Sequence, residues 1–448
     1  MIAAKSRIYA IALIAIASTG FSLSLNAQEP QPIASPYTIQ LARMLSKDLF
    51  ELNGVPYLQP VVKVVNATSN SRFYHSAYVP SKVKRPYFRL SVNGMLGFVP
   101  ENMKTFDPKI PADSISMQGA AKYAQIDFFT GKLNISDTAG LVHYIFLDIL
   151  RRGLNDPTGK SIVLPPFAPT ALGKSKQKLF LNNDSLKAIA AGTTVTTPFG
   201  NVNVYNLLPD HLKDSLNSVL KQFPGEFSLA EGGNINTVLA AVPQLEIGSL
   251  LGTELLFRYI PSIDMGSTIG DFSFWGVGLK HSLSQYFYDD FIDEDINQPV
   301  ERPFDLAAQV VMQGTELKNT IGVTNASLGA NATMFSASLI GSKKFGEYFE
   351  AYGGLAYESV EIKSRYRYYL PVDMQWSLGM LQRYETKPIP GDPYNQGDTQ
   401  PQTTSINLKE SSIKGVVGLS TTFYNVSIFL DYNISKFSIF TFGLAYKF

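Results

Sequence analysis

The sequence contains no cysteine. That excludes disulfides, zinc–thiolate centres, thiol nucleophiles and a cysteine-linked lipid anchor. Charge is sparse as well. Asp, Glu, Lys and Arg make up 17% of the 448 residues, against roughly 25% in an average globular chain. The net charge is +1, so nothing points to a nucleic-acid partner or to a charge-steered substrate. Long apolar runs are missing beyond the N-terminal segment. The longest, LVHYIFLDIL (141–150), holds Asp148 and is followed by Arg151 and Arg152, and it falls short of the roughly 18 residues of a membrane helix.

Aromatic residues, by contrast, are plentiful: 23 Tyr and 29 Phe, with only two Trp. The N-terminal 27 residues form a unit of their own. Lys5 and Arg7 precede an apolar core, Ile8 to Ala17, and LNAQ then offers a cut after Ala27. The pattern predicts a secretory signal peptide over 1–27, with Leu25 a departure from the small residue preferred at that place. The mature chain is therefore expected to be exported without a helical span. In lipid, only helices and closed barrels satisfy every backbone group.

Four further segments follow from the pattern. Residues 28–55 are expected to hold a helix, capped by Ser35, with Pro36 in its first turn and Gly54 as its stop. Leu41, Leu45, Leu49 and Leu52 lie along one side of it, and it is a candidate plug. Residues 56–102 are expected to hold the first barrel strands. In PYFRLSVNGMLGFV (86–99), Phe88, Leu90, Val92, Leu96 and Phe98 alternate with Arg89, Ser91 and Asn93, the signature of a half-buried strand. Residues 103–242 read as a mixed insert, plug or loop region. It holds one helix after Asp137 and another carrying Leu212, Leu216, Val219 and Leu220.

Strand signals recur from 243 to 448, the expected main barrel. Leu255, Phe257 and Tyr259 oppose Glu254 and Arg258. Trp275, Val277 and Leu279 oppose Gly276, Gly278 and Lys280. Ile413, Val417, Leu419 and Phe423 oppose Lys414, Ser420 and Thr422. Short turns alternate with long polar connections such as 288–303 and 387–405. The predicted strands are about ten residues long, as a tilted membrane strand requires. The fold class expected is all-β: an antiparallel transmembrane β-barrel with a mixed α/β insert or plug. At about 15–20 residues per strand and connection, it would have about 12–14 strands.

The final strand, SIFTFGLAYKF, places Phe442, Leu444, Tyr446 and Phe448 on one side. This ending resembles the signal read by the outer-membrane barrel insertion machinery, which the resemblance implies as a partner. The stretches PYLQPVVKVVNATSNSRFYHSAYVP (56–80), FVPENMKTF (98–106), PQLEIGSLLGTELLFRYIP (243–261) and GVGLKHSLSQYF (276–287) resemble a family of uncharacterised Gram-negative outer-membrane barrels. The layout is more distantly similar to the long-chain fatty-acid transporter type. That resemblance implies passage of a small hydrophobic solute past an N-terminal plug; no binding residue matches position by position.

Chemistry-bearing clusters are few. The four His are each followed two residues later by Ala77, Ile145, Lys213 or Leu283, so the His–Ser same-face pair of outer-membrane lipid hydrolases does not occur. The acidic stretch DDFIDEDIN (289–297) could bridge a divalent cation, but it lacks the glycine spacing of a calcium loop. Charge on a lipid-facing strand costs about 2–4 kcal/mol for each Arg or Lys at mid-bilayer. Lys280, Glu361, Lys363, Arg365 and Arg367 are therefore expected to face the lumen or to lie beyond the membrane. No catalytic, cofactor or metal residues are expected. The expectation is an outer-membrane barrel, in contact with lipid, acting as a passive channel for small amphipathic or hydrophobic solutes, or else as a structural or binding barrel without transport.

Overall fold

The computed structural model describes residues 33–448, apart from 82, 84, 128–131, 176, 198–199, 223–224, 230–231, 265–270, 289–302, 322–325, 371 and 382–396. The expected leader over 1–27 and the acidic stretch 289–297 lie outside the described residues.

Ten strands close into one barrel. In chain order they are β1 (Tyr87–Phe98), β2 (Thr237–Leu250), β3 (Thr253–Asp264), β4 (Asp271–Ser282), β5 (Asp305–Ile321), β6 (Ala326–Phe345), β7 (Phe349–Tyr368), β8 (Gln402–Phe423), β9 (Val426–Ile434) and β10 (Ile439–Lys447). Every neighbouring pair is antiparallel, and closure comes from β1 lying between β2 and β10, with Val92 opposite both Pro243 and Leu444. The expected 12–14 strands are thus corrected to ten. Four strands are about twice the expected strand length: β5 to β8 run 17, 20, 20 and 22 residues, whereas β9 and β10 run 9 each.

Strand alternation sorts the side chains as the sequence implies. Leu90, Val92, Val277, Leu279, Leu355, Leu419, Leu430 and Leu444 are exposed on the outer face. Ser91, Asn93, Glu254, Arg258, Lys280, Lys414 and Asp431 are buried on the inner one.

The lumen is occupied by the chain itself. Helix α1 runs from Pro36 to Ser69, with Ser35 capping Thr38 N. It continues past the expected stop at Gly54 and through Pro56 and Pro60, so residues 56–69 of the segment 56–102 are helical and supply no strand there. An interior proline costs a helix about 3 kcal/mol, and packing outweighs that cost here. Tyr57, Leu58, Val61, Val62, Val64 and Val65 join one core with Leu317, Met334, Val360, Ile362, Ile406 and Leu408 on the inner barrel wall. Gly54 is a contact residue: a Cβ there would lie 2.6 Å from Ile406 Cδ1.

The insert between β1 and β2 does not fill the barrel. Its helices α2 (Thr138–Leu154), α3 (Asn183–Ala191) and α4 (Asp210–Gln222) form a second core with Leu41, Ala42 and Leu45 from the first half of α1. Asp137 caps α2 through Gly140 N at 2.9 Å, and Leu212, Leu216, Val219 and Leu220 of α4 are all buried. One helix therefore joins a cap at one end of the barrel to the interior. The turns Leu251-Gly252 and 346–348 lie at the other end, together with the longer connection from β4 to β5, residues 283–304. Among the described residues, no helix is long and apolar enough to cross a membrane.

One glycine marks how tightly the lumen is packed. A Cβ on Gly443 would fall 1.9 Å from the Phe429 ring, and that ring lies 3.6 Å beneath the Arg72 guanidinium. Gly443→Leu should cost about 1–3 kcal/mol by overpacking, read as a lower temperature for the unfolding shift on gels. Gly415→Ala, whose Cβ meets nothing within 4 Å, should leave that temperature unchanged.

Candidate functional site

The last turn of α1 and the chain behind it, residues 69–77, meet the inner wall in a belt of buried charge. A helix C-terminus leaves carbonyls without intrahelical partners and carries a partial negative charge. Here the wall supplies cations to it. Arg258 of β3 donates from Nη1 to Ser69 O at 3.1 Å and from Nη2 to Ser71 O at 2.9 Å and to Arg72 O. Its Nε donates to Gln244 Oε1 at 2.9 Å, and its guanidinium lies 4.6 Å from the Phe73 ring centre. Gln313 of β5 donates to Ser69 O at 2.8 Å. Lys414 of β8 donates to Asn70 O and pairs with Glu358 Oε2 at 2.9 Å.

The plug segment contributes charge in return. Arg72 Nη1 lies 2.6 Å from Asp431 Oδ2 and donates to Tyr352 OH at 2.7 Å. Tyr352 OH in turn donates to Asp431 at 2.8 Å, while Thr441 and Asn433 donate to the other carboxylate oxygen. Arg72 has φ +59, a left-handed conformation uncommon for a non-glycine residue. Nearer the short-turn end, Lys280 donates to Ser76 O at 3.0 Å and pairs with Glu254. Glu254 also accepts from Tyr87, and Arg89 pairs with Glu246 at 2.5 Å. Ser76 Oγ donates to Glu350 Oε1 at 2.6 Å.

These contacts fill the lumen at this level. Beside Arg72, Gln309, Ser336 and Asp431 lies a cavity of about 30 Å³, room for a single water. Taking one partner from a buried ion pair costs about 3–5 kcal/mol.

The five charges singled out in the sequence divide. Lys280 faces the lumen as expected and is 1% exposed along its side chain. Glu361, Lys363, Arg365 and Arg367 do not face it: they lie on the outer face of β7, in line with Leu355 and Tyr357. Their lumenal placement is therefore corrected. Strand alternation alone carries the signal, since all six share one parity. The belt residues are also visible in part by parity, as Glu254, Arg258, Lys280 and Lys414 interrupt the inner faces of apolar strands. Arg72 carries no such mark.

The other expected sites resolve simply. Phe442, Leu444 and Tyr446 lie exposed on β10, and exposed Phe448 just beyond it stacks on Phe88 at 5.9 Å. His281 sits outside the lumen, its Nδ1 2.8 Å from Thr253 Oγ1 and its Nε2 2.8 Å from Tyr286 OH. Among the described residues, no group of three or more His, Asp or Glu is arranged to hold a metal.

Closed antiparallel walls, an apolar exterior and a lumen filled by the chain's own helix define a self-plugged β-barrel. The chain belongs to a family of unknown function, DUF6588, whose model matches residues 5–448. No curated protein matches it. Among solved structures it aligns with Ail, the attachment invasion locus protein of Yersinia pestis, at 13% identity over 44% of this chain and 96% of that one, with a TM-score of 0.19. It also aligns with OccK1 (OpdK) of Pseudomonas aeruginosa at 10% identity over 82% and 99%, with a TM-score of 0.11.

Asp431→Asn should strand Arg72 and lower stability by about 3–5 kcal/mol. Arg72→Met combined with Asp431→Leu should cost less than Asp431→Asn alone. A double-variant loss equal to the sum of the two single losses would contradict the pairing.

Proposed function

We propose that this protein is an outer-membrane barrel that is closed at rest and holds its cap at the membrane surface through the lumen-threaded α1. The observation that carries this reading is the filled lumen: cations from the wall grip the carbonyls of a helix whose other half belongs to the cap. The outer face supports the membrane setting. On β7 and its neighbours an apolar stretch runs from Phe349 to Ser359, matching the roughly 9–11 residues of a tilted spanning strand. Exposed rings stand near its two borders, Phe345 and Phe349 at one and Trp275 and Phe335 at the other, as interfacial girdles do. The turns at 251–252, 346–348 and 424–425 support a periplasmic assignment of that end, since short turns mark that side of such barrels, and the cap then faces outward; the longer β4–β5 connection is the exception. The outer residues Phe442, Leu444, Tyr446 and Phe448 are the surface offered to the insertion machinery.

On this reading the expected passive channel for hydrophobic solutes is secondary, because it requires α1 to leave the lumen. In planar bilayers the full chain should show no steady conductance. Arg258→Ala with Lys414→Ala, which strips donors from the helix end, should produce intermittent openings. A steady solute-sized conductance in the unaltered chain would overturn the closed reading. Separately, Phe448→Asp should reduce membrane insertion while leaving export intact, measured by fractionation and heat-modifiable migration. Undiminished insertion would contradict the role given to that strand.

A further inference from the structure

Above the apolar stretch, the outer wall of β5 to β8 changes character. The register aligns Lys318, Gly329, Arg365 and Ser405 in one row across the four strands. The row below it holds Glu316, Asn331, Lys363 and Asn407. Gly329 leaves a gap between two cations, and a Cβ there would meet nothing within 4 Å. Lys318, Asn331, Lys363, Arg365 and Asn407 surround this gap and line a cavity of about 580 Å³.

The charge is not balanced. Lys318, Lys363, Arg365, Arg367 and Lys409 face outward here, against Glu316 and Glu361 on the same strands and Asp271 of β4 opposite Lys318. Glu316 is engaged by Lys318 at 2.8 Å, and Glu361 is shared by Lys409 at 3.3 Å and Lys363 at 3.8 Å. Among the described residues, no carboxylate pairs with Arg365 or Arg367. Directly below lie Met312, Phe335, Tyr357 and Ile413, all exposed.

We propose that this recess is a binding site for a lipid with a phosphorylated headgroup. The phosphate sits over Gly329 between Lys318 and Arg365, and the acyl chains lie down the apolar wall. A guanidinium offers the paired donors that phosphate oxygens accept, while the Asn331 amide supplies a neutral donor at the edge; the Asn407 amide already donates to Glu361 at 2.9 Å. Vertical order identifies a lipid rather than a free anion, since the cations begin where the apolar face ends. The site rests on the membrane reading above, and the cap-side position assigns it to the outer leaflet.

The test uses the full chain refolded in phosphatidylcholine vesicles, with lipid A, a diphosphorylated acylated disaccharide, as the probe. Bound lipid is read by native mass spectrometry. Heat-modifiable migration is read first: a chain that does not enter vesicles overturns the membrane reading, and this site with it. For inserted barrels, lipid A should be retained, and Lys363→Gln with Arg365→Gln should weaken retention about fivefold for each charge removed. Gly329→Leu should weaken it with no change of charge, by filling the recess. Lys343→Gln, at the short-turn end, should have no effect. Equal retention by all variants would overturn the site. Equal retention of dephosphorylated lipid A would reduce it to acyl contact, and displacement by inorganic phosphate alone at comparable concentration would reduce it to a simple anion site. Either result contradicts the proposal.

Discussion

The structure depends on one requirement: a helix end buried inside a barrel must have its carbonyls satisfied. Ser69 to Arg72 end α1 in a space where water is nearly excluded, and an unpaired polar group there costs several kcal/mol. Arg258 and Gln313 answer Ser69 O, and Lys414 answers Asn70 O. Lys414 has a carboxylate of its own in Glu358, and Arg72 has Asp431, whereas Arg258 is held by carbonyls and by the amide oxygens of Gln244 and Gln313. A buried ion pair seldom adds net stability over an apolar replacement. Its value here is positional. It fixes where the helix stops and which wall it faces, and apolar packing alone would leave α1 free to slide.

The same helix serves two cores. Its first half packs on the cap helices through Leu41, Ala42 and Leu45; its second half fills the lumen through Leu58, Val61, Val62 and Val65. A displacement of α1 along the barrel would therefore disturb the cap and the charge belt together. This coupling distinguishes the arrangement from a barrel whose interior is filled only by its own wall side chains.

Much of the barrel was legible in the sequence because period-two alternation is insensitive to strand length. Val92, Val277, Leu419 and Leu444 declared an outward face, and Lys280 and Lys414 an inward one. The strand count was not legible, because β5 to β8 run 17 to 22 residues and an average repeat counts such strands twice. The reach of α1 was hidden for a different reason. Gly54, Pro56 and Pro60 are local stop signals, and the tertiary contacts that override them come from strands some 300 residues away in the chain, with Ile406 against Gly54 as the clearest case. For the charges of β7 the cost of charge on a lipid face left two placements open, the lumen or beyond the membrane, and only parity with Leu355 and Tyr357 removes the lumenal one.

The central claim is that residues 69–77 sit locked in the lumen of the folded protein. Ser71 Oγ lies 3.4 Å from Asn433 Oδ1 on the facing wall, and the chain has no native cysteine. Ser71→Cys with Asn433→Cys therefore gives a clean crosslinking assay on the otherwise unaltered, folded protein. The account predicts rapid disulfide formation on mild oxidation, and slow labelling of the single variant Ser71→Cys by a membrane-impermeant maleimide until the barrel is unfolded. Free thiols after oxidation, together with labelling as fast as at an exposed position such as Tyr424→Cys, would show an empty lumen and contradict it.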